Sequence, residues 1–243
     1  MTVLLDATKP SPTQWVRGAH LANLETELSA PADPSIGGRH PLPKIQDWCS
    51  TLGRWGIGKH SRVIVYDRQD GGMAAARAWW MLRAVGHTHI EVRDATEVQG
   101  ERTDQLTPAV DGPAYPAAEW RLPTVSMAQV KERRRDPNWR VIDARSAPRF
   151  RGEIEPIDPV AGHIDGALNV PWQETTDLSV AKARLTQALG DVPPERTIVH
   201  CGSGVTACHT LLQLHRLGLD GAQLYVGSWS EWCRRSVQVP ESL

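Results

Sequence analysis

The chain has 243 residues, of which 40% are hydrophobic, and its formal net charge at pH 7 is −1. This length allows one large domain or two of ordinary size, and the apolar content is sufficient to form real cores. The near-neutral net charge gives no electrostatic reason to expect binding to a nucleic acid or to an anionic membrane. No apolar stretch approaches membrane-spanning length. We therefore expect neither nucleic acid nor membrane among the partners.

The four cysteines, Cys49, Cys201, Cys208 and Cys233, are scattered along the chain without a CxxC pair. This distribution argues against a disulfide framework and a zinc site, and it fits a reducing cytosol. The nine histidines show no HExxH-type spacing, so we expect no metal and no other cofactor. Residues 1–6 resemble the start of a strand more than a signal peptide, which favours a cytoplasmic protein.

In the first half of the chain, strand-like and helix-like segments alternate. Short β-branched or apolar runs predict strands, and apolar residues at helical spacing predict helices. The predicted elements are strands at 3–6, 62–66 and 89–92 and helices at 45–55 and 73–85. This alternation indicates a parallel sheet with helices on both faces.

A polar stretch from Glu101 to about Pro123 contains four prolines, which is typical of a connecting segment. We interpret its last part, residues 116–123, as a linker. The predicted organisation is an N-terminal domain over 1–115 and a C-terminal domain over 124–243.

The second half repeats the pattern of the first. Corresponding motif residues are separated by 132 to 137 positions: Asp6 and Asp143, Asp67 and Cys201, Gly86 and Gly218. A nearly constant shift of this size indicates a duplicated domain rather than a solenoid repeat. Ligands of parallel α/β sheets bind at the carboxyl ends of strands, where Cys201 lies in the second half. Because Asp67 holds that place in the first half, we expect the N-terminal domain to be catalytically inactive.

Cys201 follows a short β-branched run, Thr197–His200, which predicts a buried strand. Apolar residues at helical spacing begin at Val205 and continue to Leu217, so the cysteine lies between a strand and a helix. Gly202 and Gly204 allow the intervening backbone to curl, so that several N–H groups converge at the start of the helix. Such a cradle stabilises a thiolate, a persulfide or a bound oxyanion. We predict that Cys201 is a nucleophile, whereas Cys208 is structural.

Several ordered motifs resemble those of two-domain rhodanese-type sulfurtransferases, the family of 3-mercaptopyruvate and thiosulfate sulfurtransferases. The matching segments are 38–43, 78–83, 143–146, 149–152, 162–167, 201–207 and 227–232. The resemblance covers essentially the whole chain. It implies an α/β fold of tandem rhodanese-like domains, each with a five-stranded parallel sheet and helices on both faces, of which only the C-terminal one is catalytic.

The resemblance also implies the reaction. Cys201 would attack the sulfur of a small anionic donor, become a persulfide, and pass the sulfur to cyanide or to a thiol acceptor such as thioredoxin. Arg149 matches the substrate-binding arginine of the family, and the N–H groups of the loop would help to hold the donor. The expected donor-binding residues are Arg149, Gly202, Gly204, Val205 and Thr206.

Ser203 and two residues of the first half complete the expected site. In the mercaptopyruvate group, the corresponding serine is thought to work with a histidine and an acid from the N-terminal domain. His40 matches that histidine, and Glu25 aligns with the acid, where the family usually has Asp. We therefore expect Ser203, His40 and Glu25 to orient the donor or assist proton transfer.

Two features of the sequence bear on the donor, and a third departs from the family pattern without bearing on it. A second arginine often lies nine residues after the first, but here that position is Asp158. Thiosulfate-preferring members carry basic residues directly after the cysteine, whereas Gly202 and Ser203 are neutral, which favours mercaptopyruvate. Val226 stands where the C-terminal motif commonly begins with Asp, and nothing in the sequence explains that change.

The same fold also hosts other reactions that use a loop cysteine. Phosphatases and arsenate reductases of this fold need an arginine six positions after the cysteine, and that position is Ala207. A thiosulfate:cyanide sulfurtransferase stays open, as does a non-catalytic module that carries sulfur on Cys201 to a protein partner.

Overall fold

The structure is a computed structural model that describes residues 1–8, 13–31, 33–69 and 72–236. The chain divides into two compact units, the first formed by 1–30 and 42–122 and the second by 31–41 and 123–243. The division after Leu122 falls at the end of the predicted linker. The segment 31–41 differs from the prediction, which assigned it to the N-terminal domain, because it packs with the second unit.

The first unit contains a parallel sheet whose strand order is β3-β1-β4-β5 and a separate antiparallel pair, β2 with β6. Its elements are β1 (Thr2–Asp6), β2 (Trp15–Val16), β3 (Ala19–Leu21), α1 (Ile45–Arg54), β4 (Arg62–Asp67), α2 (Ala74–Ala84), β5 (Ile90–Asp94) and β6 (Arg102–Thr103). The strand β6 lies in the polar, proline-containing stretch that the sequence predicts to be a connecting segment. Residues 70 and 71 of the predicted loop after β4 lie outside the described residues.

The second unit contains a parallel sheet in the order β10-β9-β7-β8. Its elements are α3 (Met127–Arg133), β7 (Arg140–Asp143), α4 (Ala147–Phe150), β8 (Leu168–Asn169), a 3₁₀ turn (Trp172–Thr175), α5 (Leu178–Leu189), a 3₁₀ turn (Pro194–Arg196), β9 (Thr197–His200), α6 (Ala207–Arg216), β10 (Gln223–Leu224) and α7 (Ser228–Ser236). The sequence places the start of α6 two residues too early, since the helix begins at Ala207 rather than Val205.

The two sheets have the same topology. Read from β8, the second sheet runs β8-β7-β9-β10, which matches β3-β1-β4-β5 element for element. This shared order confirms the duplication that the spacing of motif residues predicted. It also places Asp67, at the end of β4, in the position that Cys201 holds after β9.

The expected count of five strands per sheet is not reached among the described residues, which form four in each. In the second unit the additional strand is reduced to one bridge, between Thr124 and Leu224. Pro123 has no N–H to donate, and the chain enters α3 directly after Val125, so there is no room for a longer ladder. Ser126 caps that helix and exchanges hydrogen bonds with Gln129 in a capping box.

The strands β4 and β9, each in the middle of its sheet, are almost entirely buried. All four residues of β9 and five of the six residues of β4 are buried. Since successive side chains point to opposite faces of a sheet, both faces must be covered. Among the described residues, no helix is long and apolar enough to cross a membrane.

Candidate active site

Cys201 lies directly after β9, with only 2% of its surface exposed. Its backbone N–H donates to Oγ of Ser228 at 3.1 Å, and its carbonyl accepts from the N–H of Trp229 at 3.0 Å. The carbonyl of Gly202 accepts from the N–H of Ser230 at 2.9 Å. The start of α7 therefore fixes the backbone on both sides of the cysteine sulfur.

Ser228 has a role that the sequence did not reveal. Its φ is 54°, in the left-handed region of backbone conformation that residues other than glycine rarely adopt. In this conformation its hydroxyl donates to the carbonyl of Tyr225 at 2.9 Å while it accepts from Cys201. The free-energy cost of this backbone conformation is thus offset by two hydrogen bonds, one of which holds Cys201 in place.

Gly204 lies where the loop turns toward α6. Its φ is +75°, and a Cβ at this position would lie 2.5 Å from the carbonyl oxygen of Val226. Only glycine permits so close an approach of the two backbones. It is therefore the backbone of Val226 that contacts the loop, and nothing in the structure explains why its side chain departs from the expected aspartate.

The loop after Cys201 presents backbone donors. Among the described residues, no hydrogen-bond acceptor is found for the N–H groups of Gly202, Ser203, Val205 and Thr206. Together with the first turn of α6, these groups form a cradle of the kind that binds anions.

Two guanidinium groups face the residue that follows Cys201. A Cβ built on Gly202 would lie 3.3 Å from Nη2 of Arg39 and 3.4 Å from both Nη atoms of Arg149. Arg149 was expected here, whereas Arg39 was not. The only trace of Arg39 in the sequence was its position next to the predicted histidine, His40.

Buried carboxylates hold both arginines. The side chain of Asp158 is fully buried; it forms an ion pair with Arg39 and accepts from Nη1 of Arg234 at 2.9 Å. Its second oxygen lies 3.6 Å from Nη2 of Arg149. Arg149 also donates to Glu155 at 2.7 Å. Asp158, where the sequence lacked the second arginine of the family, therefore pairs with arginines and does not present a free negative charge to the loop.

These ion pairs continue to the end of β7. Arg145 donates to Asp143 at 2.7 Å and to Glu155 at 3.3 Å. We call this set the arginine–carboxylate cluster; it comprises Arg39, Arg145, Arg149, Arg234, Asp143, Glu155 and Asp158. Its four cations and three anions leave one positive charge uncompensated next to the loop of Cys201.

His200, the last residue of β9, is buried beside the cluster. Burial, which the charge of Asp143 only partly offsets, lowers the pKa of His200, so the imidazole is neutral at pH 7. Its Nδ1 lies 3.2 Å from the carbonyl oxygen of Cys201. Since a carbonyl can only accept, Nδ1 carries the proton and helps to fix the cysteine backbone.

The predicted serine and histidine meet in the second unit. Nδ1 of His40 lies 2.8 Å from Oγ of Ser203, and Ser203 is 7% exposed. Glu25 lies in the first unit, exposed, in the turn after β3, where its N–H donates to the side chain of Asn23 at 2.8 Å. The participation of Glu25 stays a prediction.

Comparison with known proteins gives the family. A model described as a rhodanese-like domain matches residues 126–235. A Pseudomonas aeruginosa protein named "probable 3-mercaptopyruvate sulfurtransferase" is 36% identical over 230 residues, which cover 89% of this chain and 80% of that protein. The chain belongs to the rhodanese-like sulfurtransferases. A Mycobacterium tuberculosis protein with "thiosulfate sulfurtransferase" in its name is 34% identical over 229 residues, covering 88% of this chain and 78% of that protein.

A solved structure of the sulfurtransferase family agrees over almost the whole chain. The 3-mercaptopyruvate sulfurtransferase from Leishmania major superposes with a TM-score of 0.80 at 26% identity. The match covers 96% of this chain and 70% of that one. The tandem α/β architecture expected from the sequence is thus confirmed as the rhodanese fold.

The first unit of this sulfurtransferase has a carboxylate where the second has the cysteine. Asp67 is buried, and its oxygens accept from the N–H groups of Gln69, Met73 and Ala75 at 2.9, 3.3 and 3.1 Å. The cradle at the start of α2 is therefore filled by the protein's own anion. It illustrates, within the same chain, that this strand-to-helix turn binds negative charge.

Proposed function

We propose that the protein transfers sulfane sulfur from a small anionic donor, 3-mercaptopyruvate, through a persulfide on Cys201 to cyanide or to a thiol acceptor such as thioredoxin. One observation carries the proposal: the guanidinium groups of Arg39 and Arg149 face Gly202, the residue next to the cysteine. A cationic surface beside a cysteine at the carboxyl end of a central strand suits an anionic sulfur donor.

In the first half-reaction, the Cys201 thiolate attacks the sulfur of mercaptopyruvate and forms an S–S bond. The C–S bond of the donor breaks, and its electron pair moves to the carbon, giving the enolate of pyruvate. The proton that was on the donor sulfur, or an equivalent one, is delivered to this carbon. The products are pyruvate and the Cys201 persulfide, so no external oxidant or reductant is needed.

In the second half-reaction, the acceptor attacks the outer sulfur of the persulfide. The S–S bond breaks, and its electron pair returns to Cys201 as the thiolate. With cyanide the product is thiocyanate, and with a thiol it is the acceptor's persulfide. The N–H groups of Gly202, Ser203, Val205 and Thr206 would stabilise the anionic outer sulfur between the two steps.

Ser203 and His40 are assigned to the proton transfer of the first step. The distance of 2.8 Å between them supports a shared proton that can move toward the developing enolate. Glu25 is proposed as the acid that assists this proton transfer, in accordance with the family pattern.

Charge supports mercaptopyruvate over thiosulfate. The arginine–carboxylate cluster carries one uncompensated positive charge, which matches the single carboxylate of mercaptopyruvate, and the residues directly after Cys201 are neutral. Thiosulfate is the second candidate donor, because two guanidinium groups beside the loop could also hold a dianion.

We further propose a reducing, cytosolic location, since all four cysteines are free.

The test is a side-by-side assay with 3-mercaptopyruvate and with thiosulfate, using cyanide as acceptor, in which kcat/KM is compared. A preference for mercaptopyruvate supports the proposal, and a preference for thiosulfate replaces the donor. Cys201→Ser should abolish turnover and the persulfide detected by mass spectrometry, whereas Cys49→Ser, at a buried cysteine of the first unit, should retain both. A persulfide on Cys201 without turnover of either donor would point to a sulfur carrier.

A further inference from the structure

We propose that Arg39 is a second donor-binding cation of this site and takes the place of the arginine that the sequence lacks at position 158. The proposal rests on the proposed sulfur transfer from an anionic donor and names a residue that binds it. Arg39 lies 119 positions from Asp158 in the sequence, so no motif of the catalytic half contains it.

The guanidinium group of Arg39 lies beside the residue that follows Cys201. Nη2 of Arg39 is as close to the Cβ position of Gly202 as the Nη atoms of Arg149, at 3.3 Å against 3.4 Å. The two cations therefore flank the same point of the loop, one residue from the nucleophile. Two guanidinium groups so placed can hold a carboxylate from two sides.

Arg39 is held in place and is still accessible to a ligand. Its partner Asp158 has no exposed side-chain surface, whereas the side chains of Arg39 and Arg149 are 19% and 17% exposed. The buried carboxylate orients the guanidinium from one side, and the accessible edge remains for the donor. Its orientation is set before binding, which lowers the entropic cost of holding an anion.

The backbone at Gly38 and Arg39 is anchored on α7 and on the residue before it. The N–H of Arg39 donates to Oγ of Ser230 at 2.9 Å. A Cβ at Gly38 would lie 2.4 Å from the carbonyl oxygen of Gly227, so the chain before Arg39 packs directly on the backbone before α7. Since α7 also fixes Cys201 through Ser228, one helix positions both the nucleophile and the proposed cation.

The test measures anion recognition at Cys201 without requiring turnover. Cys201 is alkylated with iodoacetate, which is an anion, and with iodoacetamide, which is neutral, and the two rates are followed by peptide mass spectrometry on the full chain. We expect Arg39→Gln to lower the iodoacetate-to-iodoacetamide rate ratio about 10-fold or more. Arg39→Lys should lower the ratio less, because it retains the charge. Arg151→Gln is the matched control, since that exposed arginine forms an ion pair with the equally exposed Glu153, and it should leave the ratio unchanged.

The kinetic arm uses mercaptopyruvate. Arg39→Gln should raise KM by about 10- to 100-fold with little change in kcat, as expected for the loss of one charge-assisted contact to the donor. Circular dichroism and the thermal midpoint of each variant verify that it is folded.

The outcomes separate this proposal from the proposed function. If no donor is turned over but the alkylation ratio falls in Arg39→Gln, the anion site stands and the proposed reaction fails. If the protein turns over donor while both KM and the ratio are unchanged in Arg39→Gln, Arg39 is not a donor-binding residue. Unmodified protein that fails to react with iodoacetate at Cys201 would also overturn the proposal.

Discussion

Nδ1 of His40 lies 2.8 Å from the hydroxyl oxygen of Ser203, although 163 positions separate them in the sequence. At this distance the hydroxyl and the imidazole share a hydrogen bond, so the protonation state of one depends on the other. Ser203 is two residues after Cys201, which brings the shared proton to the place where a donor would react.

Removal of this pair should impair the mercaptopyruvate reaction more than the thiosulfate reaction. The enolate that leaves mercaptopyruvate must be protonated, whereas sulfite, the leaving group of thiosulfate, needs no proton. We expect Ser203→Ala and His40→Gln each to lower kcat with mercaptopyruvate by about 100-fold, a usual contribution of proton transfer.

The double variant provides the control for this prediction. Because the two side chains act as one unit, Ser203→Ala combined with His40→Gln should cost little more than either change alone. Single and double variants are compared by kcat with both donors. Equal losses for the two donors, or losses that multiply in the double variant, would contradict a shared role in proton transfer.

The closeness of Gly204 to Val226 predicts a specific loss of activity. In Gly204→Ala the new methyl group would meet the Val226 carbonyl, so the loop must move away from its position beside Cys201. Gly218→Ala is the matched control, with a similar φ of +73° but open space around the added carbon. Both variants should lose about 1 kcal/mol or more of stability from backbone strain.

Only Gly204→Ala should lose sulfur transfer, by at least about 100-fold in kcat/KM, since a misplacement of about 1 Å can have that effect. Urea unfolding and the donor assay measure the two quantities separately. Full activity in Gly204→Ala would mean that the position of the loop does not control the chemistry.

The sequence predicts well those features that depend on local pattern. The strand Thr197–His200 is confirmed residue for residue, because a continuous β-branched run bounded by a glycine-rich loop has few alternatives. The duplication, which the sequence predicts from the spacing of motif residues alone, is likewise confirmed by the shared strand order of the two sheets. The start of α6 is two residues off, since helical periodicity does not reveal where the first hydrogen-bonded turn closes.

The sequence predicts poorly those features that depend on contacts between distant segments. Arg39 lies at the site because its guanidinium group forms an ion pair with the buried side chain of Asp158, which is distant in the sequence. Ser228 fixes Cys201 through a left-handed backbone conformation that no residue pattern signals. Such contacts are set by tertiary packing, so a motif search that works along the chain does not find them.

The buried carboxylate of Asp67 allows a test of the expectation that the first unit is not catalytic. In Asp67→Asn, the amide can still accept from Gln69, but its NH₂ group then faces the N–H of Ala75, donor against donor. The free energy of unfolding should fall by about 1–3 kcal/mol, the cost of leaving buried donors unpaired. Urea unfolding measures this loss, and the donor assay should show kcat/KM unchanged in folded protein. A loss of turnover without a loss of stability would contradict a purely structural role.

His209 makes stability depend on pH. It is fully buried on α6, with Nε2 3.1 Å from Nε2 of Gln213 and its ring 5.6 Å from that of Trp172 in an edge-to-face contact. Burial, aided by the charge of Arg216, lowers the pKa of His209 to about 4. In the unfolded chain the pKa is about 6.5, so between these two values only the unfolded state takes up the proton. The free energy of unfolding is therefore highest above pH 6.5 and falls as the pH is lowered toward 4.

From pH 7 to pH 5 this residue alone should lower the free energy of unfolding by about 2 kcal/mol. Urea unfolding of the unmodified protein and of His209→Gln at both pH values measures the effect. Other buried histidines, such as His200, contribute to both proteins alike, so the difference between the two pH dependences isolates His209. A His209→Gln variant that loses as much stability on acidification as the unmodified protein would mean that His209 titrates alike in the folded and unfolded states.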